Sequence, residues 1–356
     1  MAAFHGLAAS GWLSYLALGV WYVMQAYVGM FYAYVFSPVL LYLVCAARIG
    51  RLYRRRAPAA PAQTDFVLLV PAHNEAALLP GLLASIAQLD YPAGRFRTVV
   101  VADNCTDGTA VLARAAGATC LVRRTAHPSS KVQALRFGAA QLALGAAQPA
   151  AVVCVLDADC QLDPHFLTEL DRYFAQPGAA PVVQCSRRVG NAFESDVTVL
   201  DAAAEALRQR VGLGARALLG FDAFILGLGC CLRAAEFARL MALPQTSLAE
   251  DKEWKADLVR RQVPVAYCPA ASLRYHTVGS QQAFGRQRQR WLAGQLASAK
   301  THGLPLLAQG LAQGSLRQLD FACELLQPPR SCLLVVALAF GAVALGTGQA
   351  VLGWVW

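Results

Sequence analysis

Ala151-Val-Val-Cys-Val-Leu-Asp-Ala-Asp159 is a run of six apolar residues that ends in two carboxylates spaced two apart. An unbroken apolar run of this length predicts a short strand buried on both faces. Carboxylates at its carboxyl end suit a hard divalent cation such as Mg2+ or Mn2+, which takes oxygen ligands and fills its remaining positions with phosphates and water. If the strand continued, alternation would turn Asp157 and Asp159 to the same side. A short Asp-x-Asp match is common in chains of this size, so its weight comes from its surroundings.

Working outward, short apolar runs alternate with helical stretches. Residues 66–70, 97–102 and 119–122 read as further strands, and 76–89, 108–116 and 131–144 as helices. This order predicts an α/β domain with a mostly parallel, Rossmann-like sheet covered on both faces. In such sheets ligands bind outside the carboxyl ends of the strands, and polar segments begin where these strands end.

The first strand runs into Pro71-Ala-His-Asn-Glu75, where Asn74 suits a helix N-cap and Glu75 with nearby backbone can hold a nucleoside. The second runs into Asp103-Asn-Cys-Thr-Asp-Gly-Thr109. Thr106 and Asp107 suit the start of the next helix, which leaves Asp103 to accept hydrogen bonds from a base or ribose. Lys131 follows Pro128-Ser-Ser130 at a helix start, where cation and helix N-terminus both attract phosphate, although a single lysine there is more often solvated. Leu248-Ala-Glu-Asp-Lys252 offers Glu250 and Asp251, either as acids complementing a first helical turn or as a general base for an attacking hydroxyl. In Gln287-Arg-Gln-Arg-Trp291, Arg290 suits a diphosphate and Trp291 can stack on a sugar ring.

Composition places this domain at a membrane. Of 356 residues 56% are hydrophobic and 15% charged, and neither 11–47 nor 331–356 contains a charged side chain. Each stretch exceeds the roughly 20 apolar residues that cross a bilayer as a helix. The first lacks the basic leader and short length of a cleaved signal peptide. Arg48, Arg51, Arg54, Arg55 and Arg56 follow it and predict a cytoplasmic catalytic domain on the inner membrane, by the positive-inside rule. The net charge of +9 then reads as an anchor to anionic membrane lipids, with no interleaved basic and aromatic stripe to suggest nucleic acid. Ser37-Pro38 can kink the first segment, leaving open one tilted helix with an interfacial lead or a hairpin of two short helices. The expected divisions are 1–50 for the N-terminal span, 51–63 for a basic and Pro-rich linker, 64–280 for the α/β domain, 281–330 for interface helices and 331–356 for a final span. The eleven cysteines contain no Cys-x-x-Cys pair and read as reduced core thiols.

Taken in order, Val70-Pro-Ala-His-Asn-Glu75, Asp103-Asn-Cys-Thr-Asp-Gly-Thr109, Asp157-Ala-Asp159, Glu250-Asp251 and Gln287-x-x-Arg290-Trp291 resemble the membrane-bound family 2 glycosyltransferases. That group includes cellulose, chitin and hyaluronan synthases and ceramide glucosyltransferases, and the likeness covers roughly residues 64–330. It implies a GT-A fold, an inverting mechanism and a nucleotide-diphosphate sugar donor, most often a UDP-sugar. By position it implies that Pro71, Glu75 and Asp103 contact the nucleoside, that Lys131 and Asp157 face the nucleotide, and that Asp159 binds Mg2+ or Mn2+. Asp251 would be the general base with Glu250 beside it, while Gln287, Arg290 and Trp291 line the donor diphosphate and the acceptor entrance. Leu226-Gly-Leu-Gly-Cys-Cys-Leu-Arg233 resembles the family's acceptor segment through Gly229 and Cys230, or else forms a tight turn between helix and strand.

Residues 304–326 read as an amphipathic interfacial stretch with Asp320 and Glu324 one turn apart, and Pro328-Pro329 precede a single last span. Two or three spans are too few to enclose a polymer channel. One sugar passed to a lipid or membrane-delivered acceptor is therefore the leading expectation for this hexosyltransferase. The rivals are a processive β-glycan synthase completed by a homo-oligomer or partner subunit, and a silent scaffold that binds nucleotide sugar. A polyprenyl-phosphate sugar transferase is disfavoured by the Gln-x-x-Arg-Trp element. UDP-glucose and UDP-N-acetylglucosamine differ at one ring substituent that no motif here reads.

Overall fold

A computed structural model describes residues 2–54, 62–126, 130–144, 150–244 and 249–346. The Ala/Pro linker with Arg55 and Arg56, Pro128-Ser129, Leu248 and the end of the last apolar stretch lie outside the described residues. The chain divides into two compact units, one of residues up to Leu40 with those from Leu326 onward, the other Leu41–Leu325.

In the first unit, helix α1 (Ala2–Leu52, continuing into the second) is unbroken at Pro38. Ser37 Oγ donates to the Tyr34 carbonyl that the proline nitrogen cannot reach. The helix departs from helical angles at Cys45, where two helical segments meet at a kink, and it makes no hairpin at Pro38. Its Tyr22–Leu52 portion is long and apolar enough to cross a membrane.

The second unit follows the alternation read from sequence. In order come β1 (Phe66–Ala72), α2 (Leu79–Ala87), β2 (Phe96–Asp103), α3 (Thr109–Ala115), β3 (Thr119–Arg123), α4 (Lys131–Gln141) and β4 (Val152–Val155). There follow β5 (Cys160–Leu162), α5 (Phe166–Phe174), β6 (Val182–Val189), α6 (Asp196–Leu207), a π-helical turn (Arg208–Leu213), α7 (Gly214–Leu219), β7 (Cys230–Arg233) and α8 (Ala234–Met241). Then come α9 (Glu250–Arg260), β8 (Val265–Tyr275), α10 (Gln281–Ser298), α11 (Leu304–Gln313) and α12 (Leu316–Leu326). Back in the first unit, α13 (Arg330–Gly346) is the last helix among the described residues, with 17 residues, and the rest of the expected terminal span lies outside them. Within that unit Tyr32 Oη donates to the Leu333 carbonyl at 2.9 Å.

The strands make one sheet in the order β3-β2-β1-β4-β7-β6-β8-β5. The first four are parallel, as expected, but β7 inserts antiparallel beside β4 and pairs antiparallel with β6, so the sheet is mixed. Residues of β1 alternate between two cores. Phe66, Leu68 and Val70 pack with α2 and α5 through Leu79, Leu82 and Phe166. Val67 and Leu69 pack on the other face with Leu135 of α4, Phe237 of α8 and Trp254 of α9. Both faces are therefore covered, which accounts for the unbroken apolar runs.

This topology collects the polar segments at one edge. Parallel β1, β2 and β4 all end there. Because β7 runs the other way, with Cys230 opposite Val155, its preceding glycine-rich turn arrives where β4 ends. Strands β6 and β8 run parallel to each other and to β4, so their ends meet the same edge.

Candidate active site

The Asp-Ala-Asp tripeptide sits in a turn between β4 and β5, closed by the Cys160 amide on the Asp157 carbonyl at 3.2 Å. The turn, and not strand alternation, presents both carboxylates. Lys131, the first residue of α4, donates to Asp157 Oδ1 at 2.5 Å. Its helix is capped by Ser130 Oγ, which accepts from the Gln133 amide at 3.2 Å. Lys131 is thus held in the cluster rather than solvated. A Cβ placed on Gly227 would lie 3.8 Å from Lys131 Nζ and 4.0 Å from Glu250 Oε1, so the glycine-rich turn passes between them.

Charges in this cluster sense one another. Burial pushes the Asp159 carboxyl up to about 6, helped by Asp157 and Glu75 and opposed by Lys131. Burial, Asp157 and Asp107 raise Glu75. Burial also raises Glu250, with Lys131 opposing and Asp251 reinforcing. Burial disfavours the Lys131 ammonium, but Asp157, Glu250 and Asp159 outweigh it and raise its pKa. Glu75, Asp157, Asp159, Glu250 and Asp251 therefore sense one another around Lys131, with acids in excess. Such an excess of negative charge favours a cation.

Among the described residues no three His, Cys, Asp or Glu side chains stand ready to hold an ion unaided. The residues nonetheless fit a metal that shares its shell with substrate. Asp159 Oδ1 is buried without a hydrogen-bond partner among the described residues, and Mg2+ commonly takes one or two carboxylates plus phosphates.

The neighbouring loops are cross-tied. Asp107 Oδ1 accepts from the Thr109 amide at 3.0 Å, and its Oδ2 accepts from the Ala76 amide at 3.0 Å. The Glu75 amide donates to Thr109 Oγ1 at 2.9 Å. Asn74 is not an N-cap. It takes a left-handed backbone, and its side-chain oxygen accepts from the Thr106 amide at 2.8 Å. Pro71 lies within β1 opposite Val101. Asp103, nearly buried, pairs with Arg123 at 2.5 Å, whose other amine reaches Gln133 on α4. Its Oδ1 is thus engaged within the protein.

The other expected residues have varied surroundings. The side chain of Cys230 has no exposed surface and packs in the second core, where burial raises its thiol pKa, so it has no surface to offer an acceptor. Gly229 turns the backbone at φ 71°, and an added Cβ would sit 3.0 Å from a Leu273 methyl. In α10, Gln287 Oε1 is buried without a partner among the described residues, and Arg290 is exposed. Trp291 is 43% exposed. Its ring lies 5.0 Å from the Arg288 guanidinium, which Asp201 fixes at 2.7 Å. Helix α10 meets the acid segment at Gly294, whose Cβ would stand 2.9 Å from Ala249 Cβ.

Sequence reading missed the supports of the glycine-rich turn. Gln184 Nε2 donates to the Leu228 carbonyl at 2.9 Å, and its Oε1 accepts from the Leu226 amide at 3.0 Å. Arg187 donates to the Leu226 carbonyl at 3.0 Å. One polar residue inside the apolar run Val182-Val-Gln-Cys185 was the available signal.

The mixed sheet with acids at its carboxyl edge defines a GT-A-like α/β transferase fold. A mannosyltransferase from Pyrobaculum calidifontis, solved in complex with GDP-Man and Mn2+, shares it with TM-score 0.54 and 16% identity over 92% of this chain and 94% of that one. A looser likeness, TM-score 0.46 and 21% identity over 70% and 82% of the chains, is to glucosyl-3-phosphoglycerate synthase from Mycobacterium tuberculosis with Mn2+, UDP and phosphoglyceric acid. Residues 61–294, more than half of the chain, match the family described as Glycosyltransferase like family 2, and the chain belongs to that family. In sequence it is 26% identical over 244 residues to a beta-monoglucosyldiacylglycerol synthase of Nostoc sp. strain PCC 7120. That match takes in 64% of this chain, which spans about half the relative's length, 48%.

Proposed function

We propose that this protein moves a hexose from a nucleotide-diphosphate sugar to a hydroxyl of a lipid or membrane-delivered acceptor, with inversion. UDP-glucose and a diacylglycerol are the pair to try first, because the Nostoc relative is a beta-monoglucosyldiacylglycerol synthase. The observation that carries the reading is the convergence of Lys131, Asp157 and Glu250 around Gly227 at the carboxyl edge of the sheet.

In this reading Glu75 and Asp103 flank the nucleoside, and Lys131 offsets phosphate charge from the α4 N-terminus. Asp159 and Asp157 would hold a divalent ion, which when bound would neutralise charge on the leaving diphosphate. Asp251, at the start of α9, takes the proton of the acceptor hydroxyl as that oxygen bonds to the anomeric carbon. The bond from carbon to diphosphate oxygen breaks on the opposite face, so an α-linked donor gives a β-glycoside. Arg290 and Trp291, exposed on α10, would serve the diphosphate and the incoming acceptor. The catalytic domain would face the cytoplasm from a membrane held by Tyr22–Leu52, with 51–63 as linker and 281–330 at the interface.

The test is UDP release and glycolipid formation by the purified full chain in detergent, with UDP-glucose and diacylglycerol, with and without Mg2+ or Mn2+. Glucolipid that requires metal and falls at least about 100-fold in Asp251→Asn is the expected result. Transfer that survives both treatments refutes the assignment, and long insoluble polymer refutes single addition.

A further inference from the structure

Away from the acid edge, a cavity of about 180 Å3 opens between the end of β6, the inner side of α6 and Tyr53. A single water needs only roughly 10–15 Å3 of such space. Its wall includes Arg187, Arg188, Arg210 and Glu205. The only carboxylate among the described wall residues is already engaged. Glu205 accepts from Arg187 at 2.7 Å, Arg208 at 2.6 Å and Gln209 at 2.7 Å. Arg188, bonded to Ser272 Oγ at 3.2 Å, and Arg210, 5.8 Å from the Tyr53 ring, have no carboxylate partner among the described residues. Both are exposed at the rim. The cavity is therefore a cationic recess, and planar guanidinium groups favour phosphate oxygens.

Its position says where the phosphate comes from. Tyr53 follows directly on Leu52, the last residue of the candidate span. Beyond the irregularity at Cys45, the end of α1 is docked on the domain, with Ile49 buried against Gly214. Tyr53 Oη donates to the Gln209 carbonyl at 2.7 Å, within the π-helical turn. Such turns recur at functional sites. The recess thus adjoins the segment that joins the candidate span to the domain.

We propose that this cavity takes the phosphate-bearing head group of an anionic membrane lipid, held by Arg188 and Arg210. This does not depend on the transfer reaction, because binding is read without turnover. The experiment is native mass spectrometry of the full chain in detergent, titrated with phosphatidylglycerol or phosphatidylcholine. Wild type is expected to retain phosphatidylglycerol selectively, R188Q/R210Q to bind it roughly tenfold or more weakly, and R188K/R210K to keep most of the binding. Equal retention by wild type and R188Q/R210Q would overturn the proposal. So would a loss that instead follows R48Q/R54Q in the juxtamembrane cluster. Displacement of the lipid by millimolar inorganic phosphate would reassign the cavity to a soluble anion.

Discussion

Gly294→Ala separates the geometry of the acid segment from stability. The new Cβ would stand 2.9 Å from Ala249 Cβ, one residue before Glu250-Asp251. Carbon atoms settle at roughly 3.5–4.0 Å, so α10 and the start of α9 must part by about 0.6–1.1 Å. Overpacking costs about 1–3 kcal/mol, while alanine gains about 1 kcal/mol over glycine inside a helix. Net destabilisation is therefore about 0–2 kcal/mol, a small shift in the urea midpoint. A displacement near 1 Å at a reacting group can cost about 100-fold in rate. The assay is kcat/KM for glycolipid formation beside a denaturation curve, expected to show a fall of about 10–100-fold with little lost stability. Ala249→Gly removes the atom that the new methyl meets, and the double variant should recover to within about threefold of Ala249→Gly alone. Full activity in Gly294→Ala, or loss that Ala249→Gly does not rescue, would refute the account.

Lys131→Met leaves Asp157 and Glu250 without their shared cation. It should lower kcat/KM for the donor by roughly 100-fold, with kinetics at varied donor as the check. Gly229→Ala imposes a side chain at φ 71° and places its Cβ 3.0 Å from a Leu273 methyl. Left-handed geometry costs about 1–2 kcal/mol and overpacking about 1–3 kcal/mol, which thermal unfolding would register. Burial pushes the Glu324 carboxyl up, but Lys252, Lys255 and Arg216 outweigh it and hold it down to about 2 against an ordinary 4.5. Its contribution, on the order of 3 kcal/mol, is complete above pH 4.5 and is lost as pH falls toward 2. Urea midpoints from pH 6 to 3 should fall for wild type and lie flatter for Glu324→Gln.

Sheet and helices from residue 66 to 155 were legible because burial on both faces writes itself as unbroken apolar runs. Boundaries shifted by only a few residues, as at α2, which starts at Leu79. The antiparallel insertion of β7 was not legible, since a buried strand reads the same in either direction. The candidate site was legible where a polar residue ends an apolar run, as at Asp157, whereas Asp103 ends such a run and is paired with Arg123 inside the protein. The site was illegible where function rests on closeness, as at Gly227 and Gly294, whose neighbours come from distant segments.

Charged residues of the C-terminal helices reveal a different limit. Residues 304–326, with Asp320 and Glu324 one turn apart, read from sequence as an amphipathic interfacial stretch. The two acids instead point into the domain. Asp320 pairs with Arg216, and Glu324 with Lys252 at 2.7 Å and Lys255 at 2.5 Å. Lys255 is fully buried, its ammonium 4.9 Å from the Phe321 ring. Glu253 on the same helix meets His302 at 2.8 Å. The Asp320 pair ties α12 to α7, and the other three links run from α9 to the segments that follow α10. Meanwhile Gln295, beside Gly294, donates to the carbonyls of Glu324 and Leu325. Removing one partner of a buried ion pair costs about 3–5 kcal/mol because the other charge is left uncompensated. These pairs tie α9, whose first turn carries Glu250 and Asp251, to the segments after α10. Glu324, whose spacing from Asp320 fitted an interfacial helix, thus anchors the helix whose first turn is proposed to meet the acceptor.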